Sequence, residues 1–311
     1  MSPARSRKPA NRAQKRAASP KPPSARARFA GMSAERARLV RSVARERDVR
    51  MAEYRRRLKA RAMRATGRML CVLAEGDSWF DYPVGRSVVA QLEDIAGVPI
   101  ANMAHHGDEV RQMLALAQRR EITERLREAV RDGLPFDALL FSGGGNDIVG
   151  DELCIWLNDY TQGMRPDQAI DLPRFDAVLA IIEAGYRDLI GIRDRESPGT
   201  TVFLHGYDFA VPTGEGVCFV GPWLKPSLDF RGVPPVMQWD VVRAILERFE
   251  RRLTALAGAM PDVVLVPTQG TLQPTDRWWA NEIHPTDKGF EAIARKFHAA
   301  LRQRFPRLPY A

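Results

Sequence analysis

The stretch Met69–Ser78, which reads MLCVLAEGDS, decides the fold of this chain. Its first six residues form a short apolar run, which is typical of a buried strand. Similar runs occur at residues 98–103, 136–141, 200–205 and 263–266, and helical patterns lie between them. Strands that alternate with helices predict a mostly parallel sheet with helices on both faces, an α/β fold.

Polar motifs follow these predicted strands. Gly76-Asp77-Ser78 follows the first, Gly107 the second, Gly145-Asn146-Asp147 the third and His205-Gly206-Tyr207-Asp208 the fourth. His284 follows the fifth strand after a longer loop. Because the carboxyl ends of parallel strands meet at one edge of a sheet, we expect these motifs to form a single site.

The motifs contain the groups that acyl transfer needs. Ser78 is a candidate nucleophile, and a serine hydroxyl needs a base to take its proton. His284, at the start of the last predicted helix, is the candidate base. His105 and His106 are rival bases, although pocket lining suits them better. The alternative for Asp77 and Ser78 is that they only cap the next helix.

Asn146 and Gly107 are candidate oxyanion donors. The side-chain amide of Asn146 and the backbone N–H groups of Ser78 and Gly107 could stabilise a developing oxyanion. The run at residues 143–145 could instead be only a flexible glycine loop. It is not a phosphate-binding loop, because no Lys-Ser/Thr pair follows it.

The four blocks around Ser78, Gly107, Asn146 and His284 resemble the SGNH hydrolase superfamily, also called GDSL esterases and lipases, over residues 69–305. The resemblance implies a flavodoxin-like three-layer α/β/α sandwich of about five parallel strands. It implies ester hydrolysis by these residues in the roles given above, without a cofactor or metal. The candidate substrate-binding residues near the blocks are Asp77, Trp79, His106, Asp147, Tyr207 and Trp279.

The fourth block departs from the family pattern Asp-x-x-His. Asn281 stands where the family has the aspartate that orients the histidine. A neutral amide can fix the imidazole tautomer but stabilises imidazolium less than a carboxylate does. Glu282 or Asp276 could substitute as the orienting group, and a Ser–His dyad oriented by a backbone carbonyl is a further alternative.

The charge of the chain is divided unevenly along its 311 residues. Residues 1–68 contain 22 Lys/Arg and 4 Asp/Glu, a net charge of +18. The remaining residues contain 47 − 22 = 25 Lys/Arg and 38 − 4 = 34 Asp/Glu, a net charge of −9. We predict a disordered basic tail over residues 1–32, a basic helical extension over 33–66 capped by Ser33, and a hydrolase domain over 67–311. The basic segment could bind an anionic partner (nucleic acid, acidic lipid or protein), bind the acidic body, or simply be solvated.

Other sequence features limit the class of protein. No apolar run is long enough for a transmembrane helix, and no secretory signal is recognisable, so a cytoplasmic protein is expected. Cys71, Cys154 and Cys218 fit neither a disulfide framework nor a zinc site. Residues 151–171 and 211–237 are candidates for a lid or acyl pocket. The alternative is a surface loop packed by its own aromatic side chains. The alternative function is a non-catalytic or weakly catalytic binding protein on a hydrolase scaffold, localised by its basic tail.

Overall fold

The computed structural model describes residues 25–62, 68–217 and 220–307, with side chains described from residue 38 to 61 in the first range. The predicted disorder of residues 1–24 and the thiol of Cys218 therefore lie outside the described residues. The compact unit that contains the sheet begins at Glu46.

A five-stranded parallel sheet forms the centre of the molecule. Its strands are β1 (Val72–Gly76), β2 (Ile100–Asn102), β3 (Ala138–Ser142), β4 (Thr201–His205) and β5 (Val263–Val266). They lie in the order β2-β1-β3-β4-β5, and every pair is parallel. This flavodoxin-like order confirms the predicted α/β fold.

Helices cover the sheet. α2 (Val88–Ala96) packs against α9 (Asp287–Arg304), whereas α4 (Leu116–Arg131), α6 (Leu172–Glu196) and α8 (Pro235–Ala259) pack in a row. The shorter helices are α3 (Val110–Met113), α5 (Gly145–Ile148) and α7 (Lys225–Phe230). Two 3₁₀ turns, Asp151–Trp156 and Pro166–Ala169, lie in the segment predicted as a lid or acyl pocket.

Two helix predictions need correction. The basic helix α1 runs Ala25–Ala62, so residues 25–32, which were predicted to be disordered, are helical, and Ser33 lies inside the helix rather than at its cap. The helix predicted over residues 108–130 is interrupted between α3 and α4, where Leu114 leaves helical geometry and Ala115 is extended. The extended backbone at Ala115 separates the two helices, so α3 and α4 can point in different directions.

One face of α1 is buried within the sheet-containing unit. Its members are spaced four, three and four residues apart, which places them on the same side of a helix. They are Arg47, Met51, Tyr54 and Leu58. The ring of Tyr54 lies 6.2 Å from that of Phe136, just before β3. This part of the basic extension is therefore packed against the α/β fold.

The structure has no helix, within its described ranges, that is long and apolar enough to cross a membrane.

β1 and β3 approach each other closely where β1 ends. A Cβ atom on Gly76 would lie 2.6 Å from the carbonyl oxygen of Ser142 and 2.8 Å from its Cβ. The N–H of Asp77 donates to the same carbonyl at 3.1 Å. Only glycine fits at residue 76 without moving one strand.

Gly76→Ala is expected to destabilise the protein by about 1–3 kcal/mol, because the added methyl group meets backbone atoms. Gly258→Ala is the matched control, since a Cβ atom there has nothing within 4 Å. The control should be neutral or slightly stabilising. Urea unfolding of both variants measures the difference, and equal stabilities would contradict a close β1–β3 contact.

Candidate active site

Ser78 lies in a tight turn directly after β1 and is 6 % exposed. Asp77 builds the turn: its carbonyl accepts from the N–H groups of Phe80 and Asp81, and its Oδ1 accepts from that of Trp79. The Oγ of Ser78 lies 2.8 Å from Nε2 of His284. The structure thus brings together a serine and a histidine that are 206 residues apart in sequence.

Asn281 fixes the tautomer of His284. Its Oδ1 accepts from the backbone N–H groups of Ile283 at 3.2 Å and His284 at 3.0 Å, which identifies this atom as the oxygen. The same oxygen lies 2.9 Å from Nδ1 of His284, so Nδ1 carries the proton. Nε2 is then left as an acceptor for the Ser78 hydroxyl.

The imidazole of His284 is enclosed by two aromatic rings. Tyr82 stacks on it at 4.7 Å, and Trp223 meets it edge-on at 5.3 Å. Burial lowers the pKa of His284 to about 4, because the charged form loses its hydration. The ring is therefore neutral, and able to accept a proton, over a wide pH range.

Asn146 lies in the first turn of α5. Its Nδ2 donates to the backbone carbonyl of Asp108 at 3.0 Å, which ties the third block to the loop after β2. Gly107, in that loop, has φ of +80°, a conformation that favours glycine. Asn146 and Ser78 both line a cavity of about 40 Å³.

A buried hydrogen-bond network lies beneath the serine turn. Asp77 Oδ2 accepts from the Tyr207 hydroxyl at 2.5 Å, and Oδ1 accepts from the Ser142 hydroxyl at 2.9 Å. The Tyr207 oxygen also accepts from the N–H of Gly145 at 3.0 Å, and His205 Nε2 lies 2.9 Å from the Ser142 oxygen. Burial raises the pKa of Asp77 to about 6, and these hydrogen bonds oppose the increase.

The other residues predicted to bind substrate differ in their burial and in their contacts. Asp147 accepts from the N–H of Val110 at 2.8 Å, so its carboxylate holds the start of α3. Trp79 and Trp279 are buried and pack edge-to-face at 6.3 Å. The His106 side chain is half exposed and lies 3.7 Å from the Asp81 carboxylate.

Glu282 is not placed to orient His284. Its two carboxylate oxygens accept from four backbone N–H groups, at distances from 2.5 to 3.0 Å. The donors belong to Gly214, Trp223, Leu224 and Lys225. The prediction of Glu282 as an alternative orienting group is therefore corrected, and Asp276, the other alternative, is exposed. Glu282 instead ties the predicted lid segment to the loop that carries His284.

Three side chains at or near this site were missed from the sequence. Tyr82 stacks on the base, Ser142 supports Asp77, and Arg47 contacts the carboxylates of Glu75 and Asp108. Glu75 and Asp108 adjoin the first and second blocks. The sequence signal that could have identified Arg47 is the apolar stripe of Met51, Tyr54 and Leu58, because these residues mark the face of α1 that is buried and Arg47 lies on the same face.

Several arginines of the basic segment pair with carboxylates of the acidic body. These pairs are Arg47 with Glu75, Asp108 and Glu121, Arg50 with Asp81, Arg55 with Glu128, Arg57 with Glu93, and Arg68 with Asp137. Part of the positive charge of the basic segment is thus paired with carboxylates of the same chain. Over the described residues, no group of His, Cys, Asp or Glu side chains is arranged to hold a metal ion.

The parallel sheet and the serine–histidine pair at its edge are typical of α/β acylhydrolases. The family model described as "GDSL-like Lipase/Acylhydrolase family" matches residues 73–292. The chain therefore belongs to the GDSL-like lipase/acylhydrolase family. Membership of this family indicates an ester hydrolase or an acyltransferase.

Solved structures with similar folds include a lipase from a goat rumen metagenome, at 20% identity and a TM-score of 0.49, covering 75% of this chain and 97% of the lipase. A carbohydrate esterase family 3 protein from Talaromyces cellulolyticus is 13% identical with a TM-score of 0.43, covering 78% of this chain and 100% of the esterase. A search of curated proteins gave no significant match.

Glu282→Gln is expected to lower the free energy of unfolding by about 1–3 kcal/mol, because buried N–H groups lose part of their acceptor. The acid limb of any pH–activity profile should stay in place, since Glu282 does not contact the His284 ring. Glu215→Gln, a change at an exposed glutamate of the segment that Glu282 binds, is the control for urea unfolding. A shift of the acid limb in Glu282→Gln would contradict this placement.

Proposed function

We propose that the protein is a serine hydrolase that cleaves carboxylic esters, with Ser78 as nucleophile and His284 as general base. The observation that carries this proposal is the 2.8 Å contact between Ser78 Oγ and His284 Nε2, in the tautomer that accepts the serine proton. Family membership independently supports acyl chemistry.

The proposed reaction has two steps. Ser78 Oγ attacks the ester carbonyl carbon while His284 Nε2 takes the hydroxyl proton, and His284 then gives that proton to the departing alkoxide oxygen. A water molecule attacks the resulting acyl-serine and gives its proton to His284. Release of the carboxylic acid returns the proton to Ser78 and regenerates the enzyme.

Three donors are proposed for the oxyanion: the backbone N–H groups of Ser78 and Gly107 and the side-chain amide of Asn146. The hydrogen bond from Asn146 to the Asp108 carbonyl supports this assignment, because it holds the loop of Gly107 against the turn of Asn146. Donors that are fixed before substrate binds stabilise the transition state without reorganisation.

Asn281 is proposed as the orienting group in place of the family's aspartate. Its oxygen holds Nδ1–H of His284 at 2.9 Å, so it preserves the geometry that a carboxylate would give. The amide carries no charge and stabilises the imidazolium less. We therefore infer a working enzyme whose turnover is limited by formation of the imidazolium.

The acyl group is proposed to be short. The cavity of about 40 Å³ beside Ser78 and Asn146 is lined in part by apolar side chains. They include Val149, Ala210, Leu246 and Ile283. Since a cavity of ~10–15 Å³ holds one water molecule, a space this small accommodates an acetyl-sized group rather than a long chain.

The alternative, a binding protein localised by its basic tail, is less well supported. The arginines of residues 46–62 that pair with the body are engaged inside the molecule, which lowers the charge left for an anionic partner. Binding of nucleic acid or acidic lipid through the rest of residues 1–68 stays a prediction, as does a cytoplasmic location.

Ser78→Ala is expected to abolish hydrolysis of p-nitrophenyl acetate, because it removes the hydroxyl that contacts His284 Nε2. Wild-type activity should fall steeply from the acetate to the octanoate, as the acyl pocket predicts. Ser42→Ala, a change at an exposed serine of α1, is the control. Labelling by a fluorophosphonate should require Ser78, and hydrolysis that persists in Ser78→Ala would refute its assignment as nucleophile.

Asn281→Asp is expected to shift the acid limb of kcat/KM to higher pH. Wild-type His284 has a pKa near 4, so its base form is lost only as the pH falls through that value. A carboxylate at residue 281 favours the imidazolium and raises this pKa. The rate near pH 8 should rise by up to ~10-fold, equivalent to about 1.4 kcal/mol of transition-state stabilisation. A pH–rate profile tests both effects, and an unmoved acid limb together with a large loss of rate would contradict the contact of Asn281 with His284.

A further inference from the structure

Arg47 is an almost fully buried guanidinium on α1, with 2 % of its side chain exposed. Its Nη2 lies 3.3 Å from Glu75 Oε1 and 3.2 Å from Asp108 Oδ2, and its Nη1 lies 3.2 Å from Glu121 Oε2. One side chain therefore joins the end of β1, the loop after β2 and helix α4. A planar fork of donors is suited to such simultaneous contacts.

Asp108 connects Arg47 to the proposed oxyanion donors. It directly follows Gly107, and its backbone carbonyl accepts from the Asn146 amide at 3.0 Å. Its carboxylate binds Arg47, and Gln118 Nε2 contacts the same oxygen at 2.5 Å. Movement of Asp108 would consequently displace Gly107 and release Asn146 together.

Arg50, one turn further along α1, holds the other end of the same loop. Its Nη1 donates to the Ala104 carbonyl at 2.9 Å, and its Nη2 donates to Asp81 Oδ1 at 3.0 Å. Asp81 belongs to the turn of Ser78. The two arginines thus bind both ends of residues 104–108 and two of the three segments that contribute proposed oxyanion donors, those of Ser78 and Gly107.

The loop needs such support for two physical reasons. Gly107 has a positive φ and nothing within 4 Å of its Cβ position, so packing at that residue does not hold the backbone. Glu75 and Asp108 both contact Arg47 Nη2, so their carboxylates lie close together in a buried place. Burial raises the pKa of Glu75 to about 8 and Arg47 opposes this increase, so without the guanidinium the Glu75 carboxyl loses its buried partner and Asp108 loses a donor that ties its loop to β1.

We propose that Arg47 and Arg50 are positioning residues that hold the loop of residues 104–108, and with it the oxyanion donors Gly107 and Asn146, in register with Ser78. This inference rests on the proposed function for its catalytic consequence. The family match begins at residue 73, whereas both arginines precede it. Residues 46–62 of the basic extension are therefore a working part of the hydrolase domain.

Arg47→Ala and Arg50→Met in the full-length chain test the proposal. Loss of a single oxyanion donor costs on the order of 10²–10³ in kcat, so partial displacement should lower kcat per folded molecule at least ~10-fold. KM should change little, because these donors act in the transition state. Arg50, which is 28% exposed, provides the variant that folds if Arg47→Ala does not.

Two further measurements separate positioning from mere stability. The Ki of an alkylboronic acid, whose tetrahedral adduct on Ser78 places an oxygen on the oxyanion donors, should rise in parallel with the fall in kcat/KM. Millimolar guanidinium should restore activity to Arg47→Ala by filling the site of the lost side chain. Arg57→Ala, a change at another arginine of α1 that removes an ion pair with Glu93 of α2, is the matched control and should match wild type in each assay.

The proposal would be overturned if kcat/KM and Ki were unchanged from wild type in both Arg47→Ala and Arg50→Met. If the wild-type protein itself hydrolyses no ester, the proposed function fails, and amide hydrogen exchange of residues 103–110 then tests the arginines alone. Exchange there should be faster in both variants than in Arg57→Ala. Unchanged exchange would overturn the positioning role whatever the activity.

Discussion

The contact between β1 and β3 at Gly76 and Ser142 is the constraint on which the site depends. The carbonyl of Ser142 binds the N–H of Asp77 and its hydroxyl binds the Asp77 carboxylate, so the serine turn starts from a fixed place on the neighbouring strand. Tyr207 carries this network onward, because its hydroxyl donates to Asp77 and accepts from Gly145. The first and third blocks are consequently held by one chain of buried hydrogen bonds, and Tyr207 adopts a φ of 60°, unusual for a residue other than glycine, to complete it.

His284 combines a buried ring with a neutral partner. Three donors converge on Asn281 Oδ1: the backbone N–H groups of Ile283 and His284, and the imidazole Nδ1–H. A carboxylate in the same place would accept the same three hydrogen bonds, so the substitution changes the charge of the site and leaves its geometry intact. Burial and the missing carboxylate both favour the neutral imidazole. The proposed base is thus available at low pH, whereas its protonated form, which the proposed reaction produces, has less stabilisation than in an aspartate-containing triad.

The sequence predicted the sheet well because buried parallel strands are short apolar runs, and β5 at Val263–Val266 was predicted residue for residue. The side-chain contacts around the site were harder to predict. Glu282 was proposed as a partner of His284 from proximity in sequence, but the turn directs its carboxylate to backbone amides of a segment about 60 residues earlier. Arg47 was missed because the charge of residues 1–68 resembles that of a solvated tail, and only three apolar side chains mark the packed face of α1 over its described residues 38–61.

The way α1 is attached explains why net charge is a poor guide to the function of this segment. Exposed ion pairs such as Arg55–Glu128 contribute about 0–1 kcal/mol each, so they do not by themselves hold the helix. Burial of Met51, Tyr54 and Leu58 provides more, because a fully buried large apolar side chain contributes about 1.5–3 kcal/mol. The narrow apolar stripe of Met51, Tyr54 and Leu58 could pack at several positions along the surface beneath α1. The guanidinium of Arg47 reaches the buried carboxylates of Glu75 and Asp108 at only one of these positions. Arg47 therefore sets where the helix lies, and the apolar stripe supplies the affinity that keeps it there.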